Sequence, residues 1–332
     1  MKDKEVTSRQ NYKLGKANRV ARAIIRHESG VLGIILVALV VSLGAMTGGK
    51  FLTPANVRNV LLQSATMGVA AAGQTFVILS AGIDVSVGGV ALMSSILGGQ
   101  IMTGTTSFHM VVAGIAAMLF FGMGVGTFNG VMVSRVGVPA LIVTLGVWEA
   151  SKGIAFLMCG GETILGIPAF ITFIGCGRIG GVPIAVIIFI IVIVVSYVVL
   201  MHTKFGRSVY AVGGNSVSAW LSGVNVKSIL MSVYMISGFL AGLAGLLLTG
   251  RTGCASTVSG GGLELDSIAA VTVGGVSIIG GRGNIIGVVI GVLIISIIHN
   301  GLNILGIHPA FQNIVKGVII ITAVSIDYLR RR

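Results

Sequence analysis

The 332-residue chain is poor in charge. Asp, Glu, Lys and Arg together make up 9% of it, against about 25% in an ordinary soluble domain. So few charges could not cover the surface of a soluble globule of this size, which excludes a cytosolic enzyme as the default reading. A disordered chain would be polar, whereas 55% of these residues are hydrophobic. Proline is also rare, with 5 residues against 51 Gly. The three cysteines, Cys159, Cys176 and Cys254, form no CxxC and no metal-ligand spacing. An odd count argues against a full disulfide framework, so apolar packing is their expected role. Catalytic signatures are absent as well: the sequence holds no GxxxxGK(S/T), no HExxH and no GxSxG. Gly281-Arg282-Gly283 followed by Gly287 has the look of a dinucleotide loop. It lies between apolar runs with no βαβ unit around it, and is discounted.

What the chain does contain is long apolar runs. The mean hydropathy is +1.03. A spanning helix needs about 20 mostly apolar residues. Ten such segments are expected, at about 31–48, 58–80, 86–104, 109–133, 140–159, 183–201, 229–249, 265–280, 285–303 and 312–328. The eighth is short enough to be broken or re-entrant. The fold class is therefore an all-α polytopic membrane protein. It comprises a basic tail over residues 1–28 and one transmembrane domain over 29–332. The polar stretch before the first run is too long for a cleavable signal peptide, and a retained signal anchor fits better.

The few charges carry the orientation. The first 28 residues hold eight Lys/Arg and three Asp/Glu. With the N-terminus in the cytoplasm and ten alternating spans, the inside receives those eight, Arg135, Lys204, Arg207, Lys227, Arg282 and Arg330 to Arg332, sixteen in all. The outside receives only Lys50, Arg58, Arg178 and Arg251. That asymmetry is the expected retention of Lys/Arg in cytoplasmic loops and puts both termini inside. It also explains the net charge of +13 without nucleic acid, whose binders gather basic residues on a soluble face.

Glycines recur at four-residue spacing: Gly122, Gly126 and Gly130; Gly238 and Gly242; Gly287 and Gly291. Small residues at this spacing let helix backbones approach closely in lipid. A local echo, GVPALIVTLG at 137–146 and GIPAFITFIG at 166–175, matches at five of ten positions.

The most informative loop runs from about His202 to Ser228. Ser216 to Ser222 can form a short amphipathic helix between Gly213-Gly214-Asn215 and Gly223, capped by the Asn215 side chain. Trp220 and Leu221 would then present an apolar knob. Either that helix lies flat on the membrane interface, or it docks into a cytoplasmic partner.

Several segments are similar to one family. TKFGRSVYAVGGNSVSAWLSGVNVKS (203–228), SAGIDVSVGG (80–89), FNGVMVSRVGVPALIVTLG (128–146), ELDSIAAVTVGGVSIIGGRGNIIGVVIG (264–291), NGLNILGI (300–307) and IVKGVIIITAVSID (314–327) resemble the permeases of bacterial ABC importers for ribose, xylose and related monosaccharides. The blocks are in family order over roughly residues 50–328. Trp220 departs from the pattern, since members commonly carry Arg or Lys there. The resemblance implies two permease subunits, identical or related, in the bacterial cytoplasmic (inner) membrane. It implies two cytoplasmic ATPase subunits and an extracytoplasmic sugar-binding protein. The coupling loop at about 202–228, with Gly213, Gly214, Asn215, Trp220, Leu221, Ser222 and Gly223, would meet the ATPase. ATP would be used there, and this chain would bind no cofactor or metal and catalyse no bond chemistry.

Polar residues within the apolar body are candidates for the pathway. Asp84 would cap the helix starting near Val85 or act as a gate. Gln74, Thr75, Asn300 and Asn303 are neutral candidates for sugar hydroxyls. Glu264 and Asp266 open the eighth segment, where carboxylates suit a helix N-terminus, and could contact the binding protein. Glu149 and Lys152 lie three apart on one helix face and would neutralise each other. An ion-coupled secondary sugar transporter is the alternative reading, with Glu149 and Asp84 as its only mid-chain ionisable candidates. A multispan membrane enzyme would need converging acids, histidines or a metal set, which the sequence does not offer.

Overall fold

The computed structural model describes residues 28–329. All but the last residue of the basic tail therefore lies outside it, as do Arg330 to Arg332. Each of the ten apolar segments overlaps a helix, the eighth only as far as Val273: α1 (Glu28–Met46), α2 (Pro54–Leu79), α3 (Val87–Met102), α4 (Phe108–Val131), α5 (Ala140–Cys159), α7 (Ile184–His202), α10 (Val226–Thr252), α11 (Leu263–Val273), α12 (Ile285–Ile304) and α13 (Pro309–Leu329). Seven of them, all but α1, α3 and α11, are long and apolar enough to cross a membrane. α4 runs on through a π-helical turn, Met132–Val136. With 11 residues, α11 rises only about 16 Å, half of a hydrocarbon core about 30 Å thick. Between these helices lie a 3-10 turn (Lys50–Leu52), α6 (Ala169–Cys176), a hairpin of β1 (Arg178–Ile179) and β2 (Val182–Pro183), α8 (Lys204–Gly214) and α9 (Ser216–Leu221).

The five prolines explain how the chain uses so few. Pro54 and Pro309 are first residues of α2 and α13, while Pro139, Pro168 and Pro183 immediately precede α5, α6 and α7. A ring that fixes φ and lacks an N–H fits the start of a helix and disrupts its interior. The local echo is this device used twice. Gly137 (φ 84°) and Gly166 (φ 75°) turn the chain in the left-handed region, and two residues later Pro139 and Pro168 launch a helix.

α2 and α10 form the middle of the bundle. Every residue from Ser64 to Leu79 of α2 is buried. The glycine ladders decide what α10 packs against. A Cβ at Gly122 would run into the Gly238 carbonyl oxygen, one at Gly126 into that of Tyr234, and one at Gly242 into that of Met118. The ladders of α4 and α10 therefore face each other, backbone against backbone. The third ladder packs α12 on α11, with Gly287 against Gly274 and Gly291 against Ala270. α5, α7 and α13 are peripheral. α7 presents Ile190, Ile191, Val194, Val195 and Val198, an aliphatic surface suited to lipid chains.

Candidate functional site

The loop between α7 and α10 folds into α8 and α9. The Thr203 hydroxyl oxygen accepts the Gly206 N–H at 3.1 Å and starts α8. Asn215 Oδ1 accepts the Ser218 N–H at 2.9 Å and starts α9, the cap expected for it. Ser222 donates its hydroxyl to the Ser218 carbonyl, and Gly223, at φ 84°, ends the helix. Val217, Trp220 and Leu221 are exposed, the last two at 66% and 73%. The knob is thus formed and free on this chain.

α8 fixes that knob to the bundle. Gly213 lies so close to the end of α2 that a Cβ there would strike the Leu79 carbonyl oxygen and come within 2.7 Å of the Gly281 nitrogen. The Gly281 N–H itself donates to the same Leu79 oxygen at 2.9 Å. Tyr210 donates to the Gly283 carbonyl at 2.9 Å, and burial pushes its hydroxyl up to about 12. α8 therefore rests on the C-terminus of α2 through backbone contacts that have no side chain to yield.

Past Leu79 the chain breaks before α3. Ala81 takes φ +64°, a left-handed conformation that costs a non-glycine residue about 1–2 kcal/mol. Asp84, 1% exposed, holds the break together. Its Oδ1 accepts the Ser86 N–H at 3.0 Å and the Ser86 hydroxyl at 2.5 Å, and its Oδ2 accepts the Ser237 hydroxyl of α10 at 2.8 Å. Asn129 of α4 donates to Ser86 Oγ at 2.9 Å. Asp84 is thus not the N-cap of α3, a position held by Ser86. It closes a turn one step earlier and ties the break to α10, with α4 attached through Ser86. Replacing Asp84 with Ala would leave three buried donors without their acceptor. Asp84→Ala is expected to destabilise the purified protein by about 2–3 kcal/mol and Asp84→Asn by less. Thermal melting in detergent measures this, and equal melting of Asp84→Ala and wild type would contradict the bracket role.

Of the other expected pathway residues, Gln74 and Thr75 are closed off in this conformation, Asn300 is half-buried and Asn303 is exposed. Gln74 and Thr75 are 0% exposed. Thr75 donates to the Ala71 carbonyl, and neither Gln74 amide atom finds a hydrogen-bond partner among the described residues. Asn300 makes a reciprocal amide pair with Asn56, both bonds at 2.9 Å, and the Asn303 Oδ1 accepts from Gln312 at 2.8 Å. Glu264 and Asp266, expected from the sequence as contacts for a binding protein, turn their side chains into the protein in this conformation. The segment before α11 drops inward, so that Gly260 lies beside Gly88 and Leu92. That carries the start of α11 into the interior. Glu264 is 5% exposed and lies against Gly88, where a Cβ would meet its Oε2. Asp266 pairs with Lys316 at 2.6 Å and lies 3.7 Å from His299, fastening α13 to α11 and α12. Glu149 and Lys152 do pair, at 3.7 Å, with Lys152 Nζ 3.9 Å from the Trp148 ring centroid. All three cysteines are free and half-buried. Sequence reasoning missed α8 and the Ser86–Asn129–Ser237 network. Thr203 followed by buried Gly206, Val209 and Gly213 is the helical signal that would have found α8.

Comparison with known proteins supplies the identity of this arrangement. The model of a family described as branched-chain amino acid transport system / permease component matches residues 56–324. The ribose import permease protein RbsC of Bacillus subtilis is 38% identical over 299 residues, 89% of this chain and 91% of its own. The fructose import permease protein FrcC of Rhizobium meliloti is 37% identical over 311 residues, 90% of this chain and 85% of its own. The D-allose transport system permease protein AlsC of Escherichia coli is 37% identical over 297 residues, 89% and 90% of the two chains. No solved structure matches. With a family match covering most of the spanning helices and the α8–α9 loop, the chain belongs to this permease family and is the multi-pass membrane component of a transport system.

Proposed function

We propose that the chain is the membrane permease of an ATP-binding-cassette importer that moves a monosaccharide across the bacterial cytoplasmic membrane. The observation that carries the reading is the α8–α9 element. An exposed apolar knob, Val217, Trp220 and Leu221 of α9, directly follows α8, which backbone contact at Gly213 locks to the end of α2. Such an element has a use if a separate ATPase pushes on it. Two copies of the permease, or this chain and a relative, would enclose the pathway, and an outside binding protein would deliver the solute. Both termini lie inside in this reading, as the sixteen-to-four distribution of Lys/Arg favours.

The family description names branched-chain amino acids, whereas the relatives are named for ribose, fructose and allose. The relatives are the finer comparison, because they match some nine-tenths of this chain. The test is to purify the permease with its ATPase in nanodiscs and add the binding protein with candidate solutes. A pentose or hexose is expected to stimulate ATP hydrolysis, and leucine, isoleucine and valine are not. Stimulation by the amino acids alone would overturn the sugar assignment. Uptake that stops when the proton gradient is collapsed, with ATP maintained, would favour an ion-coupled transporter instead.

A further inference from the structure

α5 carries charge where a lipid-facing helix should not. Glu149 is at the middle of the 20-residue helix, with its side chain 66% exposed, and Lys152, one turn on, is 42% exposed. Ionisable groups at mid-membrane depth turn toward protein or a water-filled cavity, because hydrocarbon does not solvate them. The same chain shows what its lipid surface looks like on α7, where the exposed residues at mid-helix are Ile and Val only. Gly146 and Gly153 flank Glu149 on its own face, three residues before and four after, with open space where a Cβ would stand. The face is therefore open and of mixed character, with a carboxylate at its centre, an ammonium beside it, the half-buried Trp148 ring under that ammonium, and exposed Ile142, Leu145 and Phe156 toward its ends.

This face adjoins α3. A Cβ at Gly89 of α3 would lie 2.9 Å from the Trp148 carbonyl oxygen and 3.1 Å from its Cα. Gly89 is five residues beyond Asp84. The backbone of α5 at this point rests on the helix that Asp84 positions, so the face is tied to the break before α3. The Glu149–Lys152 pair, at 3.7 Å, is long enough to open toward a third group. Together the two side chains have no net charge, which suits a neutral solute. A carboxylate accepts hydrogen bonds and an ammonium donates them, while a hydroxyl does both.

We infer that this face of α5 lines the water-filled translocation path, with Glu149 and Lys152 as transient partners for the hydroxyl groups of the passing solute. The solute class rests on the reading under Proposed function, whereas the exposure of the face to water does not. The test uses the full complex in nanodiscs, with Cys159, Cys176 and Cys254 replaced by Ser. Glu149→Cys is compared with Val194→Cys on the aliphatic face of α7, using a charged, water-soluble methanethiosulfonate. Thiolates form in water and not in hydrocarbon, so Glu149→Cys is expected to react at least about tenfold faster. Its rate should also change when the ATPase is trapped with ADP and vanadate. Equally slow reaction at both positions would place the face in lipid and overturn the inference. So would protection of Glu149→Cys in every nucleotide state of the complex but not in the isolated subunit, which would bury the face between subunits. A second measurement is uptake by the Glu149→Leu/Lys152→Leu double variant. The pathway reading expects at least about a tenfold loss at normal membrane abundance, whereas a lipid-facing helix would gain from losing buried-cost charges. Unchanged uptake would overturn the inference. Failure of the sugar assignment would leave the labelling result standing, so the two failures are distinguishable.

Discussion

Leu221→Asp is expected to abolish solute uptake while the protein still folds and inserts. Leu221 is 73% exposed and ends the six-residue α9, so the substitution removes no internal packing. A carboxylate in the last turn of a helix opposes its dipole, at a cost of about 0.3–1 kcal/mol, too little to unfold the bundle. The cost falls instead on docking. An apolar anchor at the centre of an interface is commonly worth about 2 kcal/mol or more, and the charge would also have to be desolvated against the partner. Co-purification of the ATPase, ATP hydrolysis stimulated by the loaded binding protein, and uptake should all fall together. Leu221→Met, which keeps an apolar side chain of similar volume, should retain most of each. Full uptake with normal ATPase stimulation by Leu221→Asp would show that the knob does not carry the coupling.

Gly213→Val is expected to be as damaging, by a different route. The added side chain would meet the Leu79 carbonyl oxygen, with the Gly281 nitrogen just behind it. Both are backbone atoms and cannot rotate away. α8 would have to lift from the end of α2, weakening the 2.9 Å bond from the Gly281 N–H to Leu79. Overpacking of this kind costs about 1–3 kcal/mol, and a rigid neighbour puts it at the upper end. The knob on α9 would remain exposed, so the ATPase should still bind while uptake is lost. Gly214→Ala is the comparison, since nothing lies within 4 Å of a Cβ there. It should melt and transport much as wild type does. Loss of ATPase binding by Gly213→Val, or equal defects in both variants, would contradict the proposed transmission path.

The two variants also show how far the sequence could be read. Asn215 as a cap, and Trp220 and Leu221 as an exposed knob, followed from residue types a few positions apart, and all were found in place. α8 was not read, because Gly206, Gly213 and Gly214 lower its helix propensity. Gly206 is there for contact with the end of α7, and Gly213 for contact with the end of α2, distant in sequence. A cap at Asp84 was expected from its neighbours and proved half right. Its bond to Ser86 is local, but its bond to Ser237 spans 153 positions. Glu264 and Asp266 do open α11 as local rules expect, but those rules do not say how deep that start lies.

Composition and periodicity alone determined that this chain is a helical membrane protein, where its apolar segments run, and that four-residue glycine spacing brings some helices into backbone contact. These are properties of solvation and of neighbours within a turn or two, so they are written locally. Which ladder meets which, that α11 starts inside the protein, and that Glu149 stands open at the middle of α5 were decided by the tertiary structure. Each depends on which distant backbone comes close enough to exclude a side chain or leave room for one, and chain spacing does not encode that distance.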